Sequence, residues 1–218
     1  MTGFEEHAIG MTNTDPHSTT ATIHPGPLGA EDPRLAFARA VALGGRVISA
    51  VRADQLADPT PCDEFDVRDL LGHLIIVPRR LAAVARGEDA LSVPDVLDGI
   101  PDGGWLAAWE AAAHDVQAAF VDDAVLARPL VFHFATMPGA VALGVYTSEV
   151  TVHTWDLAKA TGQHPTWDDA VAVWALATMQ RTLVAENRGD GIPFGPVVDV
   201  AQDAPAIDRL VAWNGRRP

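Results

Sequence analysis

Apolar residues recur along this chain at helical intervals, in stripes separated by Pro- and Gly-rich connections. Leu35, Ala38, Val41, Ile48 and Val51 form the first stripe, opened by Asp32-Pro33, an N-cap acid before a proline at the first helical position. The stripe predicts a helix to about residue 53, where Gly44-Gly45 lowers helix propensity but lets a neighbouring helix approach closely. Asp58-Pro59-Thr60-Pro61 marks 54–65 as a loop. Val67, Leu70, Leu71, Leu74, Val77, Leu81 and Val84 form a second stripe, capped by Asp66 with Asp69 three residues on, a capping box with a shorter acid. Pro78 inside it removes the bond to the Leu74 carbonyl and predicts a kink. After a connection at 87–102, a helix over 105–122 sets Trp105, Trp109, Val116 and Phe120 on one side. Residues 123–138 connect, with a short extended piece at 130–134, to a helix that ends near Gly162. Thr166 is the expected cap of the next helix, to about 186, with Asp168 and Asp169 in its first turn where the dipole favours them. A long Gly/Pro loop and a short helix at 205–213 complete the pattern. Residues 1–30 are rich in Thr, Pro, Gly and His and carry little periodicity, so a flexible N-terminal tail is expected before a single helical domain over 31–218.

The helix over 139–161 carries the chemistry. At ~100° per residue, Leu143, Val145, Tyr146, Val150, Val152, Leu157 and Ala160 make one broad apolar arc. Glu149 and His153 fall near its middle, about one turn apart, with Asp156 beside them, while Thr147, Ser148, Thr151, Thr154 and Lys159 take the other side. A carboxylate and an imidazole aimed into a core are costly unless paired. Two pairings answer that cost: a metal ion, or a Glu–His hydrogen bond in a satisfied core. Glu110 and His114 repeat the spacing, but share their face with Gln117, away from the tryptophans, and read as a solvated pair. The face, not the spacing, separates the two. His73 lies at the edge of the second stripe with Asp69 one turn before it, arranged as a carboxylate that orients a metal-bound imidazole or as a surface Asp beside an interfacial His.

Composition narrows the function. Lys plus Arg total 15 and Asp plus Glu 29, a net charge of −14 without a basic run, which argues against nucleic acid and anionic membrane as partners. No apolar run approaches the ~18–20 residues of a membrane span, and the N-terminus lacks the pattern of a signal peptide. The single Cys62 forms no internal disulfide and no Cys-rich zinc site, which fits a cytoplasmic protein. Phosphate-cradling glycine motifs, a Gly-x-Ser-x-Gly elbow and His-Glu-x-x-His are all absent. Without the last, Glu149 and His153 have no built-in general base beside them, which disfavours a water-activating peptidase.

Thr60-Pro-Cys62-Asp-Glu-Phe65-Asp66-Val-Arg-Asp69-Leu-Leu-Gly-His73, then Glu149-x3-His153-x-Trp155-Asp156-Leu-Ala-x-Ala-Thr-Gly162, resembles the DinB-like superfamily, and within it the mycothiol-dependent maleylpyruvate isomerase type of metal-binding domain. The ending Phe194-Gly-Pro-Val-Val with Ala204-Pro and Arg209-Leu is similar to the short, mostly uncharacterised branch of that group. The resemblance covers about 34–218; it departs at Phe65, where Trp is usual, at Gly72 and at Pro78. It implies an all-α four-helix bundle with additional C-terminal helices, in which His73, Glu149 and His153 hold a divalent metal. Two His and one carboxylate suit Zn2+, with Ni2+ or Fe2+ admitted by ligand type. It also implies mycothiol or a similar low-molecular-weight thiol as co-substrate with a small-molecule electrophile, for a transferase or isomerase acting as a monomer or homodimer. In that setting Asp156 backs His153, His133 is a candidate acid or base or a plain loop residue, and Tyr146 either orients a ligand or packs the core. A non-catalytic metal-binding protein of stress response and a metal-dependent hydrolase are the rival readings.

Overall fold

Each long helix starts and stops where its local chemistry dictates. The computed structural model describes residues 32–63, 65–97, 99–185, 188 and 194–218; the tail expected at 1–30 lies outside them. Helix α1 (Pro33–Ser49) opens with the Arg34 backbone N–H donating to the Asp32 carboxylate at 2.9 Å. It ends four residues earlier than its stripe suggests, because the chain turns into a 3-10 turn at Ala53–Gln55. In α2 (Val67–Arg86) the Asp69 N–H donates to Asp66 at 2.9 Å, and Gly87 at φ +86° closes the helix in the left-handed conformation that glycine adopts without strain. The helix continues through Pro78. Helix α3 (Trp105–Ala119) is followed by a single turn, α4 (Ala124–Ala127), and a hairpin of β1 (Pro129–Val131) and β2 (Thr136–Pro138) that pairs Leu130 with Met137. The expected extended piece is therefore the first half of a hairpin. Then come α5 (Gly139–Ala160), α6 (Asp169–Thr182) and α7 (Ala206–Trp213). The cap of α6 is Asp168, not Thr166: its carboxylate accepts from the Val171 N–H at 3.2 Å and is anchored by Arg39 at 2.7 Å.

The fold is all-α apart from the hairpin. Helices α1, α2, α3 and α5 form the bundle, with α5 and α3 each packed against both α1 and α2. Trp109 fills the gap between α1 and α3, donating its indole N–H to the Val41 carbonyl at 3.2 Å. Glycine makes that contact possible: a Cβ on Gly44 would stand 2.9 Å from the Trp109 ring. The glycine pair thus serves close approach, as its sequence predicts.

Helices α6 and α7 cover the outer side of α5, adding a second apolar cluster of Val152, Trp155, Ala172, Ala175, Leu176, Ile207, Leu210 and Val211. As a result α5 is enclosed nearly all round, and Thr147, Ser148, Thr151 and Thr154, the expected opposite side, are buried too. Two of the threonines tolerate this because their hydroxyls bond within the helix, Thr147 donating to Leu143 O and Thr151 to Thr147 O, both at 2.7 Å, whereas the buried Thr154 hydroxyl has no hydrogen-bond partner among the described residues. No helix among the described residues is long and apolar enough to cross a membrane.

Candidate metal centre

The loop before α2 is tied by its own polar groups. Thr60 donates its hydroxyl to the Phe65 carbonyl at 2.8 Å and accepts from the Cys62 N–H at 3.1 Å, and Pro59 bridges to Asp66. This fixes Phe65 over the site, its ring tilted on His73 at 5.1 Å and edge-on to His153 at 6.5 Å. His73 on α2 meets Glu149 and His153 on α5. Both imidazole Nε2 atoms converge on one carboxylate oxygen, Glu149 Oε1, at 3.1 Å from His73 and 3.3 Å from His153. One donor atom from each residue lies within 4.8 Å of the others. The side chains of His73 and Glu149 are 27% exposed and that of His153 is 8% exposed, so the group is open on one side.

Behind His153 stands a second tier. Its Nδ1 lies 3.0 Å from Asp156 Oδ2, and Asp156 is fully buried. Arg216, beyond α7, grips the same carboxylate with Nη2 at 3.0 Å and Nε at 3.3 Å. Its third nitrogen donates to Asn214 O at 3.0 Å. Held by Arg216, the Asp156 carboxylate fixes the imidazole so that Nε2 faces Glu149.

Charge in the metal-free site follows from this geometry. Burial opposes ionisation of Glu149, yet the two imidazoles hold its carboxyl well below the usual range. Burial also opposes protonation of His153, but Glu149 and Asp156 overcome it and push its pKa up to about 9. For His73 burial prevails and the pKa is lowered, with His153 and Arg80 adding repulsion. The group therefore rests as Glu149 carboxylate, His153 imidazolium and neutral His73. This is a proton where a cation fits: two imidazoles and a carboxylate, pre-converged, match the donor set of a three-ligand divalent site. A cation there would take Nε2 of both histidines and an oxygen of Glu149, while His153 kept Nδ1–H on Asp156.

The remaining expected residues fall elsewhere. Asp69 is exposed, its N–H taken by the Asp66 cap, and no hydrogen bond joins it to His73. His133 is exposed in the connection between β1 and β2, edge-on to Phe134 at 5.1 Å. Tyr146 is buried, its ring tilted on Phe132 at 5.6 Å, and burial together with the Glu149 charge pushes its phenol pKa up. Glu110 and His114 are both exposed. Two residues escape the sequence reading. Arg216 has no periodic signal, being three residues past the last helix. Cys62 is half-buried, with Sγ within 4.8 Å of a His153 ring nitrogen and an Asp156 oxygen; only the loop's hydrogen bonds reveal that placement.

Two proteins of Mycobacterium tuberculosis, from strains CDC 1551 and H37Rv, are each 32% identical to the chain over 185 residues, covering 85% of it and 98% of their own length; both are described as uncharacterized. No solved structure matches. Residues 37–158 match the family described as the mycothiol maleylpyruvate isomerase N-terminal domain, a stretch that holds His73, Glu149, His153 and Asp156 and leaves Arg216 outside. The chain belongs to this DinB-like family.

Proposed function

We propose that the protein is a metal-dependent, thiol-using transferase or isomerase of small electrophiles, with His73, Glu149 and His153 as the ligands of one divalent cation, Zn2+ first and Ni2+ or Fe2+ by ligand type. The observation that carries the reading is the convergence of three donors on a group exposed on one side only. The family's association with mycothiol supports mycothiol, or a thiol like it, as co-substrate. When bound, the cation supplies positive charge and open positions that favour a thiolate over a thiol near neutral pH. The chain's own residues do the rest. Asp156 and Arg216 hold the His153 ring; Phe65 covers His73 and limits water; Tyr146 lies one turn before Glu149 as a candidate ligand contact. The thiolate would form a C–S bond as the π bond of the activated alkene breaks and its electron pair moves onto the activating group; a transferase ends when that carbanion takes a proton from solvent, and an isomerase rotates the resulting single bond and expels the thiolate as the double bond re-forms. A hydrolase would need a free carboxylate over the open side, and Asp156 is locked behind His153. We place the protein in the cytoplasm, as a monomer or homodimer, with no nucleic-acid or membrane partner.

The test pairs metal analysis of the purified protein with turnover of activated alkenes and epoxides, with and without mycothiol. Activity that needs both metal and thiol is expected. Equal turnover without thiol would move the assignment to hydrolysis; none with any pair, despite a filled site, would leave metal binding alone.

A further inference from the structure

Cys62 has no part in the proposed reaction, yet the chain fixes its position. Its N–H donates to the Thr60 hydroxyl at 3.1 Å. Its carbonyl accepts from the same hydroxyl at 3.0 Å and from the Phe65 N–H at 2.9 Å. Held so, Cys62 Sγ, one ring nitrogen of His153 and one carboxylate oxygen of Asp156 all lie within 4.8 Å of one another. This group is distinct from that of His73, Glu149 and His153, and the two have His153 in common. His153 and Asp156 are buried and Cys62 is half-buried, so an ion from solvent meets the sulfur first.

The three donors are not equally available. Asp156 is already engaged, with Arg216 donating to it from Nη2 at 3.0 Å and from Nε at 3.3 Å. The sulfur and an imidazole nitrogen are then the donors left to give. Two are too few for Zn2+, which structural sites hold almost always with four. They suit a soft ion that accepts two ligands, and thiolate sulfur selects Cu(I). The spacing agrees: with bonds of about 2.3 Å to sulfur and about 2.0 Å to nitrogen, an ion in line between the donors spans about 4.3 Å. A separation of no more than 4.8 Å admits it.

We infer that Cys62 and His153 form a second metal site, for a thiophilic monovalent cation, Cu(I), with the Asp156 carboxylate beside it as counter-charge. As the ion binds, the thiol and the ring nitrogen it takes release any proton they carry to solvent. No electron moves; the copper enters and leaves as Cu(I). The site shares His153 with the proposed divalent centre but does not depend on the chemistry proposed there.

The test titrates the full-length protein anaerobically with Cu(I) buffered by bicinchoninate, and separately with Zn2+ against a chromophoric chelator. One Cu(I) per chain is expected. Cys62→Ser should weaken Cu(I) by about a hundredfold or more, beyond what loss of an outer partner costs, and leave Zn2+ bound. His73→Ala should do the reverse, losing Zn2+ and keeping Cu(I). His153→Ala should lose both, with circular dichroism on each preparation checking that the bundle is intact. Copper K-edge absorption should show one sulfur and one imidazole on the ion, with the sulfur gone in Cys62→Ser. Cu(I) binding that survives Cys62→Ser, that disappears with Zn2+ in His73→Ala, or that ignores His153→Ala would overturn the second site. If Cu(I) binds through Cys62 and His153 while the parent takes up no divalent ion, the divalent reading falls and the Cu(I) site stands.

Discussion

Two helices of this protein carry Glu and His four residues apart, and their fates differ. On α3, Glu110 and His114 face solvent. On α5, Glu149 and His153 face a third donor across the bundle, with the buried Asp156 and Arg216 behind them. Spacing is identical, so it cannot be the cause. The difference is which stripe the pair interrupts. On α3 the apolar stripe is Trp105, Trp109, Ala112 and Val116, and the pair lies off it. On α5 the pair sits inside the stripe, where an unpaired charge would cost several kcal/mol. Only a pair with buried partners survives there.

The largest expected effect breaks that contrast at its centre. Changing His73, Glu149 or His153 to Ala should abolish stoichiometric metal, measured as metal per chain after purification. A His153→Ala protein that keeps its full metal would refute the assignment. Next comes the tier behind. Asp156→Asn and Arg216→Ala leave all three ligands in place but free the His153 ring, and metal affinity should fall about 10–100-fold. Competition with a chelator reads it. Unchanged affinity would mean that packing alone orients His153.

The site also predicts its own pH dependence. At neutral pH the cation must expel the Nε2 proton of His153, whose pKa is raised to about 9, while neutral His73 needs only to shift its tautomer. Apparent metal affinity should therefore rise about tenfold per pH unit from about 7 towards 9 and then flatten, with about one proton released per metal. Calorimetry in buffers of different ionisation enthalpy counts that proton. The metal-free protein shows the reverse trend. His153, raised from 6.5, adds stability that is complete below 6.5 and lost as pH rises through about 9. Glu149, lowered from 4.5, adds stability that is present above 4.5 and lost as pH falls. Release of no proton at pH 7 would show that the imidazolium is not the resting form.

Cys62 sharpens the contrast from another direction, since α5 has a thiol near its pair. If the attacking sulfur comes from solution, Cys62→Ala should keep full metal and most thiol-dependent activity, within about twofold. Loss of activity with metal retained would make Cys62 the sulfur that reacts.

Periodicity made the bundle legible: stripes at 3.6 residues gave α1, α2, α3 and α5, and the Asp66 and Asp32 caps gave two of their starts. The same stripe placed Glu149 and His153 inward. What stayed hidden depends on contacts between distant segments. Thr147 and Thr151 look like a polar face because their hydroxyls are polar; α6 and α7 bury that face, and no local pattern announces that a second layer will dock there. The one-turn α4 and the second hairpin strand are too short for a period to register. Asp69 has the right spacing to His73 but the wrong surroundings, since the first turn of α2 leaves it exposed. Arg216 reaches Asp156 across 60 residues of chain, a pairing that only tertiary structure reveals.

The smallest expected effect comes from the pair on α3. Glu110→Ala with His114→Ala removes two exposed side chains and leaves Trp109, Ala112 and Val116 in the core untouched. Alanine is the best helix former, so the helix itself should gain slightly. An exposed Glu–His pair one turn apart contributes a few tenths of a kcal/mol at most, lost here and offset by that gain. The double variant should therefore match the parent in metal content, and its stability should stay within about 0.5 kcal/mol, as for most surface changes. Denaturant unfolding and metal analysis on the same preparation measure both. A fall in metal content would mean that α3 carries ligands after all, and that burial of the pair is not what distinguishes α5. A large loss of stability with metal intact would instead give Glu110 and His114 a role in the fold that their exposure denies.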